Sequence, residues 1–263
     1  MGTIADAYGY WEPGPAPAPR RGLFSVAEVV DVTDPHLMLG AEYLTNRCTA
    51  GCEWDDMCNP PPALLKQFMK TSPVQGESFT VYDALECELV GTSYEEQESR
   101  LKGTFDVKAE AVVEARLQAI LKGSAAIAST NLVEVIANLE EQLAKNYAGL
   151  GSLHMDRFTG LVAHGQRLVG EPNPDIGDVH TVNGTPVVLG RGYARTAGQY
   201  WAGAAGRVTV LRGPMVTVRT PPMPQQPVAV PPALTSLPPR VLVEQQFVIL
   251  MECVAAWSEA PVV

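Results

Sequence analysis

Residues 131–165, NLVEVIANLEEQLAKNYAGLGSLHMDRFTGLVAHG, decide the reading of the whole chain. Leu132, Val135, Ile136, Leu139 and Leu143 recur at steps of three and four, the spacing of one helix face. The spacing predicts a helix over about Leu132–Tyr147, opened by Asn131 with Glu134 three residues later as a capping pair and ended by Gly149 and Gly151. Ser152–Met155 then reads as a short strand. Asp156 caps a second helix, Asp156–His164, with Gly165 as its stop. Downstream, Val182-Asn183-Gly184-Thr185 is a hairpin-turn signal that feeds Gly184-Thr185-Pro186-Val187-Val188. Arg207–Leu211 and Met215–Thr220 read as strands around Gly213-Pro214. Residues 221–239 hold eight prolines, too many missing amides for regular structure. Val241–Trp257 reads as one long apolar strand, and its incomplete alternation predicts burial on both faces.

Upstream, residues 92–122 read as a long helix. Ser93 with Glu96 makes a capping box, and Phe105, Ala109, Val112, Val113, Leu117, Ile120 and Leu121 form an apolar stripe. Gly103 is expected to break or kink it, and Gly123 to stop it. Residues 23–90 read as β and irregular: Val26, Val29, Val30 and Val32 form a β-branched run ending at Asp34-Pro35. Phe79, Val81 and Leu85 begin a second extended run, with Cys48–Cys58 and Pro60-Pro61-Pro62 between them. A long hairpin or loop is expected there. Residues 1–22 read as an arm. Pro13, Pro15, Pro17 and Pro19 favour an extended polyproline path, and Tyr8, Tyr10 and Trp11 are costly to leave in water. Two readings stand for this arm, a free tail and a segment docked on a neighbouring subunit.

The composition bounds the function. The 263 residues are 46% hydrophobic and 18% charged, enough to bury a sizeable core. Net charge is −10 and no Lys/Arg cluster is present, which argues against a duplex-binding surface. Residues 77–141 hold 13 acidic and 5 basic side chains, residues 142–263 hold 7 and 9. That unevenness fits a solvated acidic helix face, or two regions that meet between subunits. No apolar run reaches the roughly 18 residues of a membrane span. The first residues lack the basic and apolar regions of a signal peptide, and five cysteines do not suggest a secreted disulfide scaffold. Synthesis in a reducing cytoplasm is expected.

Candidate chemistry is sparse. Cys48, Cys52 and Cys58 with Asp55 and Asp56 have the spacing C-x3-C-x5-C, without the paired close spacings of a zinc site and with no histidine nearby in sequence. Free thiols are the first expectation, a disulfide formed in an oxidising medium the second, zinc the third. His36, His154, His164 and His180 fall in no ligand pattern and read as structural or surface residues. Gly190-Arg191-Gly192 lacks the full glycine fingerprint of a phosphate loop. Glu95-Glu96 and Glu140-Glu141 are adjacent on helices and so point in different directions. No catalytic, cofactor-binding or metal residue is assigned, and the chain is expected not to be an enzyme.

The order Asn131–Leu150, Leu153-His154-Met155-Asp156-Arg157, Gly184-Thr185-Pro186-Val187-Val188, then later strands and a C-terminal strand resembles tailed-bacteriophage major capsid proteins of the Hong Kong 97-type fold. The resemblance spans about residues 92–260. It implies an α+β fold with an N-terminal arm (1–22), an extended-loop and strand region (23–91), a peripheral domain with a long spine helix (92–130), an axial domain (131–239) and a C-terminal return strand (240–263). It also implies a structural subunit of an icosahedral phage head that assembles into pentamers and hexamers around the DNA genome. Implied partners are copies of itself, with scaffold, portal or decoration proteins as further candidates and DNA enclosed without sequence-specific binding. No membrane and no cofactor are implied. The implied place is the virion capsid, after assembly in the host cytoplasm. The alternative readings are a minor capsid, decoration or encapsulin-like shell protein, and a hydrolase or metalloprotein built on the cysteine cluster.

Overall fold

The structure is a computed structural model describing residues 21–45, 47–48, 72–86, 94–170, 179–220 and 240–262. The proline-rich arm, the 221–239 segment, the Ser93 cap and Cys52 to Cys58 lie outside those residues.

Two six-stranded sheets share one long helix. The first contains β1 (Glu28–Asp31), β2 (Gly40–Thr45), β3 (Ser72–Glu86), β9 (Val208–Arg212), β10 (Val216–Thr220) and β11 (Arg240–Met251), in the order β1-β9-β11-β3-β2 with β10 also on β11. The second contains β4 (Ala126–Ala128), β5 (Ser152–Asp156), β6 (Val179–His180), β7 (Pro186–Gly190), β8 (Gln199–Ala205) and β12 (Ala255–Pro261), in the order β4-β12-β8-β5-β7-β6. The helices are α1 (Leu23–Val26), α2 (Tyr94–Lys122), α3 (Leu132–Asn146) and α4 (Arg157–Gly165).

The stretch 131–165 folds as its pattern predicts. Asn131 Oδ1 accepts the Glu134 amide at 3.0 Å, and Glu134 returns the favour one residue earlier, accepting the Thr130 amide at 2.8 Å. Leu132, Val135, Ile136, Leu139 and Leu143 are buried. They pack with Leu153, Met155, Val187, Ala202 and Ala204 in one cluster, so α3 covers the second sheet. Asp156 Oδ1 accepts the amides of Phe158 and Thr159 at 2.9 and 3.1 Å and caps α4. All five residues of β5 are buried because it lies between β7 and β8. The Asn-Gly signal is a real reversal: β6 pairs antiparallel with β7, and Gly184 sits at φ 86°, where a side chain would be strained.

The structure corrects several expectations. Gly103 does not break the long helix; α2 is continuous from Tyr94 to Lys122. A Cβ at Gly103 would meet nothing within 4 Å, so the glycine costs propensity but disturbs no packing. Val112 and Ile120 are exposed, and the buried line runs Leu101, Phe105, Ala109, Val113, Leu117, Leu121. The single strand over Val241–Trp257 is two strands in different sheets, β11 and β12, separated at Glu252–Val254. Burial on both faces holds only for Phe247–Leu250; Val241, Val243 and Gln245 alternate with partly exposed residues. Residues 208–220, inside the range expected for the axial domain, hydrogen-bond into the first sheet as β9 and β10. The strand β8 was not foreseen. Helix α2 packs on β3 and β11 of the first sheet and on β8 and β12 of the second, so one helix braces both.

Candidate functional site

The described residues form a joint between the two sheets. Its first part is a buried polar ladder on α2. Glu110, Glu114 and Gln118, four residues apart, share one face and are buried. Glu114 Oε1 accepts the Leu23 amide at 3.0 Å and Oε2 accepts the Gly192 amide at 2.7 Å. Glu110 Oε1 accepts the Phe24 amide at 2.9 Å. Gln118 accepts the Ala194 amide at 2.9 Å and donates to the Ala194 carbonyl at 2.6 Å. The ladder therefore fastens the chain leaving the N-terminal segment and the loop after β7 to the same helix. Burial pushes the Glu110 carboxyl pKa up, against the lowering effect of the Phe24 amide, with the neighbouring Glu114 charge adding to the rise. Gly192 is required here, since a Cβ would lie 1.9 Å from the Ala111 carbonyl oxygen. Gly190-Arg191-Gly192 is thus a close-packing loop.

The second part lies between β11 and β12. The Glu252 carboxylate is buried and accepts hydrogen bonds from Tyr43 Oη at 2.9 Å and Tyr147 Oη at 2.5 Å. Arg47 pairs with it at 3.4 Å. Burial, then the bond to Glu252, raises the pKa of both tyrosines, so they stay protonated donors. The Arg47 carbonyl accepts the Ala148 amide at 2.8 Å, and Cys48 is joined to Cys253 by a disulfide. This overturns the free-thiol expectation for Cys48: its partner comes from the C-terminal strands, not from the Cys48–Cys58 cluster.

The four histidines are not brought together. His154 is fully buried in β5, with Nε2 2.9 Å from Ser152 Oγ and Nδ1 2.8 Å from Tyr193 Oη. Burial lowers its pKa to about 3, so the ring is neutral, one nitrogen donating and the other accepting. His164 Nδ1 lies 3.4 Å from the Val169 carbonyl, while His180 is in β6 and His36 opens a 3-10 turn. Glu140 accepts from Thr181 Oγ1 and Asn183 Nδ2 and so holds the hairpin onto α3. Glu141 pairs with Lys145, and Glu95 with Arg219. These carboxylates act as tethers.

Large apolar side chains are exposed at several places, among them two groups. Leu39, Leu44 and Tyr82 lie on or beside the β2–β3 hairpin. Phe158 and Leu161 lie on α4 and Val182 on the β6–β7 turn. No family profile and no curated protein matches the sequence. Solved structures do. One is the capsid of a native GTA particle, at 14% identity and TM-score 0.50, covering 99% of this chain and 98% of that one. A second, from Mycobacterium phage Ogopogo, has 12% identity, TM-score 0.50 and 99% coverage of both chains. A third, from Mycobacterium phage Cain, has 12% identity and TM-score 0.50 over 94% of this chain and 91% of that one.

The chain has the Hong Kong 97-type capsid fold. At such low identity the agreement is in architecture, and it extends over nearly the full length of both chains. Within the Hong Kong 97-type fold the ladder on α2 and the Glu252 joint have a shared consequence. Both tie segments that are distant in sequence to buried carboxylates. The sequence reading passed over both. Its only trace of them is the spacing of Glu110, Glu114 and Gln118 on one helix face and a lone carboxylate, Glu252, inside an apolar run.

Proposed function

We propose that the chain is a structural subunit of an icosahedral phage head that self-assembles into pentamers and hexamers and encloses the DNA genome. The observation that carries this reading is the near full-length agreement in fold with the capsid of a GTA particle. In this reading the second sheet with α3 and α4 is the axial domain. The first sheet with α2, the spine helix, is the peripheral domain, the β2–β3 hairpin is the base of the extended loop, and residues 1–22 are the arm. The chain works without catalysis: no residue here is assigned to a reaction, a cofactor or a metal.

Physical features support the reading. Symmetry repeats each contact many times, so an individually weak contact suffices. Exposed apolar side chains beside β2 and β3 and on α4 and the β6–β7 turn suit contacts with neighbouring copies. The net charge of −10 suits a wall that encloses DNA without binding its phosphates. Copies of the chain are the main partners, with scaffold, portal or decoration proteins as further ones. The place of action is the virion capsid, with assembly in the host cytoplasm. Electron microscopy of the recombinant protein tests this: closed shells or five- and six-membered rings are expected, and a protein that stays monomeric as concentration is raised overturns it.

A further inference from the structure

The β2–β3 hairpin overhangs its own sheet. Residues Ser78–Glu86 of β3 pair with β11, whereas Ser72–Glu77 pair only with β2. A small cluster of Val32, Met38, Val74, Leu211, Val248 and Leu250 underlies the overhang. Beyond it, besides an exposed Arg116–Glu77 ion pair to α2 at 3.6 Å, the hairpin is held by ties from residues 43–48 to the joint: Tyr43 and Arg47 to Glu252, the Arg47 carbonyl to the Ala148 amide, and Cys48 to Cys253. The last is the only covalent one among the described residues, and it spans 205 residues of sequence. It borders a cavity of ≈ 600 Å³ lined by Cys48, Pro73, Gln142, Asn146, Met251 and Cys253, among others, wide enough to admit a small thiol reagent.

We propose that Cys48 and Cys253 form a redox clasp on the hairpin, open as two thiols when the chain is made and closed once it meets an oxidised low-molecular-weight disulfide. One cysteine thiolate attacks the reagent disulfide, forming a mixed disulfide and releasing one reagent thiolate. The second cysteine thiolate attacks the mixed disulfide, forming the Cys48–Cys253 bond and releasing the other. Two cysteine thiols lose two electrons, the reagent becomes two thiols, and the two cysteine protons go to its leaving thiolates. Opening the clasp leaves the Glu252 bonds in place, so the subunit keeps its fold while the overhang gains freedom. The clasp closes within one subunit and does not depend on assembly, so it stands or falls separately from the proposed function.

The test uses the full-length protein treated with oxidised glutathione or with dithiothreitol. Peptide mapping after thiol alkylation is expected to find Cys48 linked to Cys253 only in the oxidised sample. Amide exchange over residues 40–45 and 72–77 is expected to be about tenfold faster when reduced, with α2 and β8 unchanged, the pattern of a local opening. Cys253 sits at φ 50°, a region asparagine tolerates, so Cys253→Asn removes the clasp without forcing the turn and is expected to match the reduced protein in both redox states. Links to Cys52, Cys58 or Cys87 instead of Cys253 would overturn the proposal. So would equal hairpin exchange in both states, or an equal acceleration in α2, which would mark a global staple instead of a local clasp.

Discussion

Glu114 on the long helix accepts the backbone amide of Leu23, 91 residues earlier in the chain, at 3.0 Å. The same carboxylate takes the Gly192 amide on its other oxygen. Both oxygens are committed to N–H donors, so Glu114→Gln turns an amide NH2 toward an N–H and leaves a buried donor unpaired. The expected cost is about 2–3 kcal/mol, read as a lower midpoint in denaturant unfolding. Glu110 differs, because among the described residues only its Oε1 has a backbone donor, Phe24, and burial raises its pKa. A carboxyl with a raised native pKa stabilises the fold at low pH and loses that contribution as pH rises through the native value. Glu110→Gln keeps the acceptor and removes the charge. It is expected to be neutral or stabilising above the carboxylate range, and equal destabilisation by the two changes would contradict the ladder as described.

His154 gives a pH dependence of the opposite sign. Its native pKa is lowered to about 3 from 6.5 by burial. The unfolded chain therefore takes up a proton below about pH 6.5 that the native state refuses. Stability is expected to fall by about 1.4 kcal/mol per pH unit from this group as pH drops through that window. Unfolding curves from pH 7 to pH 4 check it; in His154→Gln this component is expected to vanish.

Gly192→Ala is expected to cost about 3 kcal/mol, the upper range of overpacking, because its Cβ would meet the Ala111 backbone oxygen. Gly103→Ala, on the open side of the same helix, is expected to gain up to about 1 kcal/mol. Thermal melts of the pair check both.

Leu161 and Val182 are exposed, and the proposed function puts them where copies meet. Leu161→Asp and Val182→Asp are each expected to change subunit stability by no more than about 0.5 kcal/mol while abolishing rings and shells in sedimentation. Deleting residues 1–20 is expected to act alike, giving a folded subunit with impaired assembly. The cut spares Arg21, whose carbonyl accepts the Leu189 amide.

What was legible in the sequence is what local chemistry encodes. The Asn131 and Asp156 caps, the apolar period of α3 and the Asn-Gly turn each act within a few residues, and each is found in place. β8 escaped because Ala202-Gly203-Ala204-Ala205 carries no β-branched signal; its strand character comes from lying between β12 and β5. The split of β11 from β12 escaped because the run is apolar on both sides of Glu252, and only the donors Tyr43, Arg47 and Tyr147 explain a buried carboxylate there. Glu110 and Glu114 read as a solvated helix face until their amide partners, far away in sequence, are known.

The most direct measurement is a reconstruction of assembled particles at a resolution that traces the chain. The account predicts shells in which α4 and the β6–β7 turn surround the five-fold and six-fold axes and α2 lies toward the periphery. Symmetric particles with the first sheet at the axes, or no symmetric particle at all, would contradict it.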